Sequence, residues 1–169
     1  ANYRFGNYKS TITGIEYEWD TSGHNYGARV GYKTLVVMGG LTYTMGSIED
    51  ELTKPSGATS AKDKYDTTDL GVWAGFSGVP MFNFWASYLF DIEWKDTNGT
   101  DKGTVYSSTG YTVGVGFTGL PFVAINLEYK KYEIDEVKSD GITIKYPTAT
   151  TTAPEGKEIL LGVSLPFDF

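Results

Sequence analysis

Phe82-Asn83-Phe84-Trp85-Ala86-Ser87-Tyr88-Leu89-Phe90-Asp91-Ile92-Glu93-Trp94 is the stretch that decides the fold. Taken every second residue, one face is Phe82, Phe84, Ala86, Tyr88, Phe90, Ile92 and Trp94, and the other is Asn83, Trp85, Ser87, Leu89, Asp91 and Glu93. Side chains alternate across a strand, so a period of two over this length predicts a long β-strand. Leu70 to Phe90, which overlaps its first nine residues, forms an uncharged run of 21, and residues 103–127 form another of 25. Length alone would allow a membrane-spanning helix. Gly71, Gly75, Gly78 and Pro80 in the first run and Gly110, Gly114, Gly116, Gly119 and Pro121 in the second argue against it. Inside a helix each glycine costs about 1 kcal/mol and each proline about 3 kcal/mol.

Each run instead reads as two strands around a turn. Ser77-Gly78-Val79-Pro80 and Thr118-Gly119-Leu120-Pro121 are the expected turns. The hairpins are a local repeat: Gly75-Phe76-Ser77-Gly78-Val79-Pro80 matches Gly116-Phe117-Thr118-Gly119-Leu120-Pro121, 41 residues later. Further alternating segments begin at Gly14, Tyr26, Leu35, Leu70, Gly110, Val123 and Ile159. With the segment from Phe82 they predict eight antiparallel up-and-down strands in a single domain spanning 1–169.

Alternation does not say which face is inside. Eleven of the 21 glycines (Gly14, Gly27, Gly31, Gly40, Gly46, Gly71, Gly75, Gly110, Gly114, Gly116 and Gly162) fall on the polar face, and Gly39 on the apolar one. Glycine packs nothing on an exposed strand, but it relieves crowding inside a small closed barrel. The apolar face also carries more rings than an eight-stranded interior holds. The expectation is therefore a transmembrane β-barrel with its polar face inward and a lipid-facing apolar belt. Tyr17, Trp19, Tyr43, Trp94 and Tyr129 are expected in an aromatic girdle at the loop end, with Phe76, Phe82, Phe117 and Phe167 at the turn end.

Composition narrows the function classes. The net charge of −7, from 21 acidic and 14 basic residues, gives no cationic face for nucleic acid. With no cysteine, disulfide scaffolds and thiolate metal sites are excluded. A mean hydropathy of −0.26 suits a soluble protein and equally a barrel in which every second strand residue meets lipid.

The chain ends Leu161, Val163, Leu165, Phe167, Phe169, alternating apolar residues that close on an aromatic. This resembles the assembly signal of bacterial outer-membrane barrels. Over nearly its full length the chain resembles the small eight-stranded OmpX/Ail barrels and the OmpA-type transmembrane domain. Thr34 to Thr44 is similar to their third strand and Thr109 to Phe117 to their sixth. Pro166 departs from the pattern by removing a ladder donor from the last strand. The resemblance implies a Gram-negative outer membrane, periplasmic termini and tight turns, and extracellular loops near 20–25, 47–68, 96–104 and 135–156. Ala1 suits a mature N-terminus after signal cleavage. Implied partners are outer-membrane lipid and lipopolysaccharide, the barrel assembly machinery, and a protein partner at the loops. No cofactor is implied.

Few residues bear chemistry. Glu16, Glu18, Arg29, Asp91, Glu93, Glu128 and Lys130 are expected inside, as a structural network of ion pairs, since a buried charge is costly unless paired. Asp20, Ser22 and His24, which includes the sole histidine, mimic a nucleophile–base–orienter set. Their setting, Asp20-Thr21-Ser22-Gly23-His24-Asn25, reads as a loop that would not hold a triad. The expected function is a non-enzymatic surface barrel. The alternative is a narrow channel for small solutes, with a lipid A-modifying enzyme further behind.

Overall fold

The computed structural model describes residues 1–54, 62–98, 102–148 and 151–165, and these are all-β. In chain order the strands are β1 (Asn2–Ile12), β2 (Ile15–Thr34), β3 (Val37–Lys54), β4 (Asp63–Val79), β5 (Phe82–Asp96), β6 (Val105–Leu120), β7 (Val123–Ser139), β8 (Ile142–Lys145) and β9 (Glu155–Ser164). Consecutive strands from β1 to β7 pair antiparallel, β7 pairs with β9, and β9 pairs with β1. Eight strands therefore close into a ring, which leaves no free edge along its ladder. The ninth, β8, pairs with the far end of β7, Glu136–Ser139.

The turns sort by end. Leu35-Val36, Pro80-Met81 and Pro121-Phe122 are two-residue connections at one end. Leu35, Met81 and Phe122 take positive φ of 51°, 66° and 66°, a region disfavoured for bulky side chains. The turns at Pro80 and Pro121 thus fall two residues later than expected, because β4 and β6 run on to Val79 and Leu120. The register slips between Phe76 and Val79 and between Phe117 and Leu120. The opposite end holds the Thr13-Gly14 turn, the β3–β4 and β5–β6 connections, and the β7–β8 hairpin.

The long strands revise the expected loops. Residues 20–25 lie within β2 and pair on both sides, so they are not a loop. Most of 47–68 belongs to β3 and β4, and β7 continues past 135 to Ser139. The first ring strand is Asn2–Ile12, which the alternation count missed, while the segments from Gly14 and Tyr26 are one strand. The count of eight stands, with a different first pair.

Along the ring axis the polarity of the two faces exchanges. Toward the turns, outward positions are apolar and exposed: Tyr3 and Phe5, Tyr26 and Val30, Leu41 and Tyr43, Phe82 to Phe90, Leu127, Leu161. Inward positions there are mostly glycine, serine, threonine, asparagine and charged residues, with Trp85, Leu89, Ala124 and Leu160 buried among them. Toward the loops the pattern reverses. Outward positions become Asn7 and Lys9, Glu16 to His24, Ser47 to Glu51, Lys64 and Asp66. The inward ones become Ile48, Tyr65, Ile92, Trp94 and Tyr132, which form the buried apolar cluster with Leu89.

Candidate functional site

The polar interior is an ionic network that joins the adjacent strands β1 and β9 and reaches across the ring from β1 and β7 to β4 and from β2 to β7. Arg4 Nη2 lies 2.6 Å from Glu158 Oε1, and its Nη1 donates to Thr67 Oγ1 at 3.0 Å. Lys130 Nζ lies 2.7 Å from Asp69 Oδ2, which also accepts from Thr44 Oγ1 at 3.0 Å. Arg29 Nη2 lies 2.6 Å from Glu128 Oε2, and the guanidinium stacks 4.6 Å over Trp85. Three cations thus meet three carboxylates, which is how a low-dielectric interior tolerates charge. Among these groups lies a cavity of about 30 Å³ bordered by Asn25, Thr42, Asp69, Ser87, Thr112 and Lys130. That is room for roughly one water molecule.

Glycines make this filling possible. A Cβ on Gly114 would strike the Trp85 indole, and one on Gly156 would strike the Tyr132 ring. Two large interior side chains, Trp85 and Tyr132, thus use the backbone surface of the neighbouring strand as their seat.

Above the network the interior is aromatic. Tyr8 stacks on Trp19 at 4.6 Å with planes 6° apart and meets Trp94 edge-on at 5.9 Å. Trp94 packs against Tyr132 at 5.0 Å and Tyr65 at 6.0 Å. Such tilted and offset contacts suit the ring quadrupoles. Tyr8 Oη donates to Asp50 Oδ2 at 2.8 Å. Burial pushes the Asp50 carboxyl up to about 6, the Tyr8 bond opposes this, and Asp63 and Asp96 add to it. Burial, then Asp50, raises the Tyr8 phenol well above its ordinary value.

Of the residues expected inside, Arg29, Glu128 and Lys130 stand there. Four do not. Glu16 and Glu18 lie on the outer face beside Lys9, at 3.8 and 3.3 Å, and Asn7 donates to Glu18 at 3.2 Å. The cause is that β2 runs unbroken through 20–25, so the odd positions, from Ile15 through Arg29, face inward. Asp91 and Glu93 are exposed outside because β5 bulges at Phe90 and Asp91. Leu70 pairs with Asp91 and Gly71 with Leu89, so one residue is extra and the alternation inverts. Ile92 and Trp94 are thereby drawn inside, at 0% and 2% exposure. Trp94, Trp19 and Tyr17 are accordingly not girdle residues, whereas Tyr43 and Tyr129 do face outward.

Arg4, Asp69 and Glu158 lie outside the expected strands: Arg4 precedes the first of them, and Asp69 and Glu158 stand just before those beginning at Leu70 and Ile159. The signal was present: Tyr3 and Phe5 alternate with Arg4 and Gly6, and the period from Leu70 extends back through Asp69 and Thr67. Leu161, Val163 and Leu165 project outward, exposed by more than half. Phe167 and Phe169, with Pro166, lie outside the described residues. Asp20, Ser22 and His24 are exposed on the outer face of β2 with no hydrogen bond among them. Side chains two apart on one face stand about 6.6 Å apart, too far for a relay. Among the described residues no group of three acidic or histidine side chains is placed to hold a metal. The chain matches no protein-family model and no curated protein sequence.

Proposed function

We propose that this chain is an eight-stranded up-and-down transmembrane β-barrel of a Gram-negative outer membrane. In this reading it is non-enzymatic, its lumen is packed, and it presents its loop end at the cell surface. The observation that carries this is the exposed apolar belt around a charge-balanced polar interior. The belt on β5 runs from Phe82 to Phe90, about 26 Å of strand, and a tilted strand needs about 9–11 residues to cross a bilayer. Above the belt the faces exchange, as a wall rising from lipid into water requires. The aromatic cluster then closes the interior from the loop side, and the ion pairs fill it below.

The polar interior also favours one rival, a narrow path for water or small ions. Discrete single-channel openings in planar bilayers would sink the packed-lumen reading. Refolding into lipid vesicles tests the barrel itself: the folded chain is expected to migrate faster on unboiled than on boiled gels. Loss of a lipid A acyl-modifying activity in both Ser22→Ala and His24→Ala would overturn the non-enzymatic assignment.

A further inference from the structure

One site on the outer wall goes beyond this reading and rests on it. On each ring strand there is a first outward position beyond the apolar belt. On six strands it is Asn7, His24, Ser47, Thr68, Asp91 or Thr109, and on the two adjacent strands β7 and β9 it is a lysine. Lys131 and Lys157 are direct cross-strand partners, one outward step above Tyr129 and Ile159, which also pair. Like charges directly opposite repel, so the pair destabilises the sheet unless an anion sits between them. Lys131 has a carboxylate, Glu155, at 3.0 Å. Lys157 has none among the described residues. Glu133 and Glu155 are paired one outward step higher still. On β7 and β9 charge is thus sorted by height, positive beside the belt and negative beyond it, with Lys9 of β1 standing opposite Glu155.

Next to Lys157 the wall opens. The β1–β9 ladder ends at Lys9 and Glu155, and contact resumes where Thr11 and Thr152 hydrogen-bond at 3.3 Å and Ile12 meets Thr151. The gap is a cleft of about 300 Å³ whose lining includes Asn7, Lys9, Thr11, Thr152, Lys157 and the Glu155 carboxylate. Lys9 is held by Glu16 and Glu18 and Glu155 by Lys131, which among the described residues leaves Lys157 as the ammonium free to meet an anion. The cleft offers ammonium, amide and hydroxyl donors. Directly below lie Phe5, Ile159 and Leu161, exposed and apolar.

We propose that Lys131, Lys157 and this cleft bind the phosphate of an outer-leaflet lipid headgroup, whose acyl chains lie on the belt beneath. A soluble phosphate would use the cations but not the apolar wall below them. The lysines would then supply charge-assisted hydrogen bonds at the height where a headgroup phosphate sits.

The test uses the full chain folded into phosphatidylcholine vesicles, with insertion established by protease protection. Lipid A is then added in bisphosphorylated or dephosphorylated form, and retention is read by native mass spectrometry. The bisphosphorylated form is expected to be retained preferentially. Lys131→Gln with Lys157→Gln is expected to weaken retention roughly tenfold or more, given the worth of a lysine beside an anionic surface. Lys62→Gln with Lys64→Gln, removing exposed lysines elsewhere on the wall, is expected to leave it unchanged. Equal retention by the first double variant, or of the dephosphorylated lipid, would overturn the proposal, as would full displacement by inorganic phosphate. Should the wild type fail to insert, the membrane reading and this site fall together. Should it insert and show no phosphate preference, only the site falls.

Discussion

Gly156 shows how tightly single residues are specified. The Tyr132 ring occupies the space that any side chain at 156 would take, and Tyr132 is itself 1% exposed. Gly156→Val is expected to destabilise the folded state by about 1–3 kcal/mol through overpacking, measured as a lower urea midpoint in vesicles. Asp50 carries a second, pH-dependent consequence. Its folded carboxyl titrates near 6, above the ordinary value of 3.8, so the native state holds that proton more tightly than the unfolded chain. Stability from this group is therefore greatest below about pH 4, falls as pH rises through 6, and is flat above. The shift corresponds to on the order of 3 kcal/mol. Asp50→Asn, which keeps an acceptor for Tyr8, is expected to remove that slope. An unchanged slope in urea midpoints between pH 4 and 7 would count against it. Residue identities of this kind are legible in sequence only as types: glycine on the polar face was readable, but its partner ring was not.

At the scale of elements, β5 shows where periodicity succeeds and where it stops. From Phe82 to Phe90 the alternation read from sequence is the alternation in the wall. At Phe90 and Asp91 a bulge spends one residue, and everything after it changes face. A period-two count cannot see this, because Asp91 and Glu93 continue the polar series without a break. The bulge predicts an unusual tolerance. Deleting Asp91 restores regular alternation with Ile92 and Trp94 still inward, so the variant is expected to fold, with heat-modifiable migration retained. Deleting Ser87 from the regular part is expected to abolish folding, because part of the strand must then turn its faces over. If both deletions fold equally well, the bulge is not what sets the faces of 92–96. β2 failed for the opposite reason. Its turn-like composition at 20–25 suggested a break, but hydrogen bonding to β1 and β3 on both sides carries the strand through.

At the scale of the whole molecule, the exchange of polarity along the axis makes a prediction about solvent. Leu127 lies in the belt on β7 and is 49% exposed, while Glu133 lies on the same outward face above it. Leu127→Arg is expected to cost about 2–4 kcal/mol in vesicles if the belt faces lipid. Glu133→Arg is expected to stay within about 0.5 kcal/mol, as at an ordinary wet surface. Comparable urea midpoints for the two variants would mean the belt faces water. The sequence by itself determined an all-β chain of alternating strands and a glycine-rich face turned inward, while its count of eight matches the ring because β1 went unread and β2 was read as two. These follow from local rules, since period, turn chemistry and side-chain size act over a few residues. Only the tertiary structure decided that the faces exchange above the belt, that Arg4, Asp69 and Glu158 complete the ion pairs, and that Glu16, Glu18, Asp91 and Glu93 stand outside. Strand length, a bulge and cross-ring pairing set those placements, and each depends on what neighbouring strands provide, up to 154 residues away in the Arg4–Glu158 pair.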